Sequence, residues 1–219
     1  MKITTLFFAI AVFVLPMKSF GQTEQFTDSR TGFEYMAVKI GNQTWMAENL
    51  QVYSFRNGDT IQLANTEEKW AKATEEGQPA FSYIVYDEDD ALLSVYYNWF
   101  AVTDPRGLAP QGWHIPALAE WKVLATQLGG PAGAMEKLKS EYYWTTGTEG
   151  TNESGFEGYP MGKITADGYL EDEDFYGYFW SSSESEGFGI NFNLDEDNSP
   201  FEQAQAFKGS GFSVRCVKD

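Results

Sequence analysis

The chain has 219 residues, with 15 Lys and Arg against 32 Asp and Glu, one His and one Cys. A formal charge of −17 excludes the basic surface that nucleic acid or anionic lipid requires, and an aromatic content of 16% excludes global disorder. The length suffices to bury a core without disulfide support.

Met1-Lys2 opens a basic start, and Leu6 to Leu15 is an unbroken apolar run that Pro16 ends. Ser19-Phe20-Gly21 then places small residues at −3 and −1 before Gln22, the pattern of a secretory signal peptide. The run is too short for a transmembrane helix, which needs about 20 apolar residues. The expected division is a signal peptide over 1–21 and one domain over 22–219, exported to the periplasm, the cell surface or the medium. Lys2 and Lys18 fall in the signal, which holds no acid. The mature chain therefore carries 13 basic and 32 acidic residues, a net −19 that keeps it soluble and repels polyanions.

Tyr35 to Ile40 reads as a strand, Gly41-Asn42-Gln43 as a turn, and Thr44 to Met46 as a second strand. Asn57-Gly58 signals a turn between Val52–Phe55 and Ile61. Asn65 to Glu76 reads as a helix capped by Asn65, with Glu68 three residues on and Gly77 as its stop. Val95 to Val102 is apolar and aromatic with an ambiguous period. The clearest helix runs from about Ala117 to Leu128, between Pro116 and Gly129-Gly130. It carries Leu118, Trp121, Leu124, Ala125 and Leu128 on one face. Met135 to Lys139 adds a turn or two of helix. After Tyr142 the chain reads as loops and short strands: Tyr178–Ser181, Gly189–Leu194 and Phe212–Lys218. Strands at both ends with two to three helices between them imply one α+β domain with its termini paired.

Cys216 stands alone, which excludes an intramolecular disulfide and any zinc site built from Cys pairs. Alternation over Gly211 to Val217 puts Phe212, Val214 and Cys216 on one face, so Cys216 is expected buried. A reactive thiol is the alternative.

The segments TGFEYMAVKIGNQTWMAENL (31–50), YYNWFAVTDPRGLAPQGWHIPALAEWKVLATQLGG (96–130), TNESGFEGYPMG (151–162), GYFWSSSE (177–184) and GFSVRCV (211–217) resemble one family, the Fibrobacter succinogenes major paralogous domain of exported bacterial proteins. That family is similar in pattern to C-type-lectin-like domains, above all the formylglycine-generating enzyme branch. There a strand and Pro-containing turn open a helix with Glu-Trp, as His114-Ile115-Pro116 and Glu120-Trp121 do here. The resemblance implies a C-type-lectin-like fold of short, twisted antiparallel strands and long irregular loops. Tyr83-Ile84-Val85-Tyr86 departs from the family's Tyr-Cys-Trp-Tyr. Ala117 stands where a capping Ser or Thr is common, a loss of roughly 1 kcal/mol at the helix start.

The generating enzymes act through paired cysteines, and a single Cys cannot do that work, so no catalytic residue is assigned. His114 is the only imidazole, and no nucleophile stands in a recognisable context. The expected binding residues are Trp113, His114, Asn152, Glu153, Trp180, Ser181 and Ser182. They would form a groove where aromatic faces and polar groups meet a glycan or a surface protein. Their alternative role is to fill the core and to satisfy loop backbone. Carboxylate runs at 87–90, 171–174 and 195–197 suit calcium, which takes six to eight oxygens. Glu171, Asp172, Asp174, Asp195 and Asp197 are the candidate ligands, against the alternative of solvated acidic loops. These features point to an exported, noncatalytic binding or adhesion module. A structural domain of a surface assembly and a carboxylate hydrolase are the alternatives.

Overall fold

The computed structural model describes residues 23–85 and 93–219. The expected signal peptide and the acidic run 87–90 therefore lie outside the described residues. β1 (Thr23–Thr27), β2 (Glu34–Ile40) and β3 (Gln43–Met46) form an antiparallel meander. In β2 Tyr35 and Ala37 enter one core cluster and Val38 and Ile40, on the alternate face, enter another, so the strand is buried on both sides while Glu34, Met36 and Lys39 are exposed. β14 (Val217–Lys218) lies between β3 and β7 (Trp113–His114), giving the order β1-β2-β3-β14-β7. The first and last described strands thus share one sheet, and Lys218 Nζ meets Glu24 Oε1 at 2.6 Å across it.

The second sheet gathers β4 (Gln62–Leu63), β5 (Ala80–Val85), β6 (Leu93–Asn98) and β8 (Met161–Ile164). It continues with β9 (Leu170–Glu173), β10 (Tyr176–Ser185), β11 (Phe188–Asp195), β12 (Gln203–Ala206) and β13 (Gly211–Phe212). Its order is β12-β11-β10-β8-β13-β6-β5-β4, with β9 beside β8. Among the described residues both sheets are open, and the structure is mostly β-sheet with four helices. None of those helices is long and apolar enough to cross a membrane.

The helices begin where side chains or carbonyls can satisfy their first amides. α1 (Glu67–Glu75) is capped by Thr66, not by the expected Asn65: Thr66 Oγ1 accepts from Lys69 N at 3.3 Å. Gly77, at φ +62°, ends it as expected. The ambiguous 95–102 stretch proves to be two elements, since β6 runs straight into α2 (Trp99–Val102). Asn98 Oδ1 makes the join, accepting from Ala80 N of the neighbouring strand and from Ala101 N of the helix, each at 3.0 Å. α3 (Leu118–Gln127) has no side-chain cap at Ala117, but Glu120 Oε2 accepts the Ala117 N–H at 2.8 Å. α4 (Pro131–Leu138) begins earlier than the expected 135–139 turn, with Pro131 in its first turn.

The expected terminal strand 212–218 is corrected in a larger way. β13 belongs to the second sheet and β14 to the first, so residues 213–216 cross between sheets. Every residue from Gly211 to Val217 is buried. Cys216 is buried as expected, and burial raises its thiol pKa well above the usual value. Arg215, on the opposite side of that alternation, is fully buried too. Its guanidinium donates to Asn49 Oδ1 at 2.6 Å, Glu157 O at 2.7 Å, Met46 O at 3.1 Å and Phe156 O. It also lies 4.4 Å from the centre of the Phe156 ring. Burial lowers its pKa to about 10. Alternation assumes one wet face, and a segment passing between two layers has none.

Candidate functional site

The antiparallel ladder of β10 and β11 has two faces of different chemistry. Phe179 pairs with Phe192, and Ile190 and Leu194 share that side. This face packs on α3, where Trp121 stacks on Phe192 at 5.3 Å and stands 4.7 Å from Trp45. Tyr178 pairs with Asn193, and Trp180 with Asn191, on the other side. Phe212 covers part of that side, stacked on Tyr178 at 5.0 Å and lying 4.2 Å from Trp180.

The rest of the second face is open. A groove of about 550 Å³ lies between the β8–β9 turn and β12, within the usual size of ligand sites. Its floor holds Tyr178, Asn191 and Asn193, and Phe207 stands at its rim with 67% of its surface exposed. Lys163 and Glu171 line one wall. Lys163 Nζ donates to Asp172 Oδ2 at 2.6 Å, and the Tyr178 hydroxyl donates to the same oxygen at 2.7 Å, which fixes the ring. Burial alone would raise the Asp172 pKa, but the bonds from Lys163 and Tyr178 outweigh it and hold the carboxyl below its usual value. Asn191 is 2% exposed. Its Nδ2 donates to Ala204 O at 3.2 Å, while its Oδ1 is buried and has no hydrogen-bond partner among the described residues.

The residues expected to bind ligand do not converge. Trp113 is core, 4.2 Å from the Phe26 ring. Trp180 is fully buried with its Nε1 donating to Tyr97 O at 2.7 Å, and Ser181 is buried beside it. Phe156 is likewise core. His114 and Ser182 do meet, lining a hollow of about 310 Å³ with Arg56. There His114 Nε2 sits 2.8 Å from Glu120 Oε1, and Nδ1 sits 2.7 Å from Asp219 Oδ1. Asn152, at φ +46°, spends its side chain on the loop, accepting from Glu157 N at 3.0 Å and donating to Glu157 Oε1. Glu153 is exposed, 3.9 Å from Lys137 Nζ.

The acidic residues expected to hold calcium meet the protein's own donors. Asp172 takes Lys163 and Tyr178, and Glu171 lies 3.6 Å from the same lysine. Asp195 is buried, with Oδ1 accepting from Ser199 N at 2.9 Å and its carbonyl accepting from Lys139 Nζ at 2.8 Å. Asp174 and Asp197 are exposed. The two runs do approach one end of the ladder: burial, then the charges of Asp195, Asp197 and Asp172, raise the Tyr176 pKa. Among the described residues, however, no three Asp, Glu, His or Cys side chains gather as a metal ion requires.

The groove was missed in the sequence, although its signal is there. Ile190-Asn191-Phe192-Asn193-Leu194 alternates apolar and amide residues, the mark of a two-faced strand. Which amide would be buried depends on Phe212 and β12, which are distant in sequence. No curated protein and no solved structure matches the chain. Residues 38–218 match the Fibrobacter succinogenes major domain, and the chain belongs to that family.

Proposed function

We propose that the protein is an exported, noncatalytic binding module that takes a glycan at the cell surface. The observation that supports this reading is the groove, where the Tyr178 ring and the exposed Phe207 ring stand beside the amides of Asn191 and Asn193. Sugar rings present apolar C–H faces and hydroxyl edges, and this surface offers a partner for each. The C-type-lectin-like fold belongs to the same reading. It is supported by the sharing of one sheet by the first and last described strands, with α3 packed between the two sheets' layers of side chains.

The second reading is a carboxylate hydrolase, favoured by Asp167 and Glu171 lining the same groove. A glycan array probed with the mature protein, in calcium and in chelator, tests the binding reading. Retention of a defined set of oligosaccharides is expected. Incubating retained oligosaccharides with the protein and assaying new reducing ends separates the two readings: intact sugars support a binding module, and cleaved sugars support the hydrolase. Retention only in calcium would return the 171–174 and 195–197 runs to consideration as a metal site. An empty array would remove the glycan.

A further inference from the structure

We propose that Lys139 and Asn198 form an intramolecular isopeptide bond, which makes the turn after β11 a self-modification site. The site lies outside the groove, and the inference stands apart from the glycan reading.

The argument starts from Lys139, directly after α4. It is fully buried, yet among the described residues its amine forms no ion pair with an acid. Nζ donates instead to two neutral oxygens, Asp195 O at 2.8 Å and Asn198 Oδ1 at 3.1 Å, and it lies 4.2 Å from the centre of the Trp144 ring. A buried charge is costly unless it is paired. Burial accordingly lowers the Lys139 pKa, and the charges of Asp195 and Glu196 only partly offset this. The share of neutral amine rises, and the neutral amine is the nucleophile.

Backbone contacts hold both partners in place. Lys139 N donates to Met135 O at 3.2 Å, and its carbonyl accepts from Asn152 N at 3.1 Å. Asn198 sits at φ +54° in a turn that Asp195 Oδ1 closes by accepting from Ser199 N at 2.9 Å. The amine is therefore held against a single side-chain amide, whose carbon is one bond from the oxygen that Nζ touches. Such fixed proximity replaces a bimolecular encounter.

The step balances without a co-reactant. The Nζ lone pair attacks Asn198 Cγ, and the Cγ–Nδ2 bond breaks. The proton that the amine gives up goes to the departing nitrogen, and ammonia leaves. What remains is an amide between Lys139 Nζ and Asn198 Cγ. Positive charge develops on Nζ during the attack, and Asp195 is the acid whose charge acts most strongly on that amine. Asn198 is exposed, so ammonia has a way out to solvent. The bond would tie the end of α4 to the turn after β11, a cross-link that the one Cys cannot supply.

The test is a tryptic digest of the purified protein, analysed by mass spectrometry. An acylated Lys139 resists trypsin, so one branched product joining residues 138–163 to residues 164–208 is expected. Its mass should equal that of its two peptides less one ammonia. Cyclisation of an N-terminal Gln22 would remove the same mass from the intact chain, so the branched peptide decides. Asn198→Gly tolerates the positive φ and has no side-chain carbonyl to attack. It should abolish the branched peptide and lower the melting temperature by roughly 5–15 °C. Asp195→Asn keeps an acceptor for Ser199 N and removes the charge, so the linked fraction should fall. Cleavage after Lys139 with residues 164–208 recovered unbranched would overturn the proposal. A branched peptide that persists in Asn198→Gly would overturn the assignment to Asn198, and a linked fraction unchanged in Asp195→Asn would overturn the part given to its charge.

Discussion

The two faces of the β10–β11 ladder are built from the same two strands, one residue out of step with each other. On one face Phe179, Phe192, Ile190 and Leu194 meet α3, and aromatic rings surround Trp121 at centroid distances of 4.7 to 6.2 Å. On the other, Tyr178, Asn193 and Asn191 lie under a cover that stops short. The difference is made by what arrives from elsewhere in the chain. A ten-residue amphipathic helix seals the first face, while two residues of β13 and the edge strand β12 only half-seal the second. A sealed face must be apolar, because water cannot reach it. A half-sealed face can keep amides, and it is where a ligand can supply what the fold does not.

The sharpest way to break this contrast is on the sealed face. Trp121→Ala and Phe192→Ala should each destabilise by about 3–5 kcal/mol, since both side chains are almost wholly buried in a well-packed cluster. Urea unfolding measures it, and Trp121→Ala is the variant most exposed to outright failure to fold. Unchanged midpoints would mean that α3 does not seal this face.

Arg215 tests the same side from beneath. It backs Phe156 and Phe179 and serves four acceptors, three of them backbone carbonyls, two of which lie in the 152–158 loop. Arg215→Met keeps the bulk and removes the donors. A loss of about 3 kcal/mol is expected, because buried carbonyls then go unpaired. A neutral result in urea unfolding would show that the 152–158 loop holds its shape without the guanidinium.

The open face should respond weakly. Asn193→Ala is expected to change stability by no more than about 0.5 kcal/mol, as for most substitutions away from a packed or hydrogen-bonded site. Paired with Phe192→Ala one position away, it makes a direct comparison of the two faces in one strand. Similar losses in the two variants would erase the distinction.

How far the sequence reveals this follows the same line. The α3 face was legible because Leu118, Trp121, Leu124, Ala125 and Leu128 repeat at helical spacing, and a local period needs no knowledge of the rest of the chain. Strands β2, β3, β10 and β11 were legible for the same reason. The strand–helix join at Asn98 was not, because two short elements share one apolar run and the cap that divides them is a single side chain. The burial of Arg215 was not legible, because alternation cannot tell a sheet face from a passage between sheets. The candidate site was the least legible part. Trp113, Trp180 and Ser181 looked ligand-facing by composition, and long-range packing put them inside. The acidic runs read as metal ligands by composition, which does not show that Lys163 and Tyr178 donate to Asp172 or that the Ser199 amide donates to Asp195, pairings made within nine residues by local turns and strand pairing.

The smallest expected effect concerns how α3 is held against its face. His114 bridges Glu120, in the first turn of α3, and Asp219 beside β14. Glu120 uses its other oxygen to accept the Ala117 N–H, in place of the side-chain cap that Ala117 lacks. Burial lowers the His114 pKa, but the hydrogen bonds it donates to Asp219 and Glu120, with their charges, more than offset this, and the net pKa lies above the ordinary 6.5. Only the protonated ring donates from both nitrogens at once. Because the folded pKa exceeds the unfolded one, the stabilisation is fully present below about pH 6.5 and is lost as pH rises through the folded value. His114→Gln should abolish this pH dependence. The melting temperatures of the two proteins should differ most at about pH 6 and draw together by about pH 8.5. The ring is 39% exposed, so solvent screens the effect and keeps it the smallest of the set. The change should appear in stability and not in oligosaccharide binding, because α3 packs on the sealed face and does not line the groove. A gap between parent and variant that stays constant across that range would remove the imidazole from the account of the α3 anchor. A pH-dependent loss of sugar binding at constant stability would show that the two faces are coupled through the strands they share.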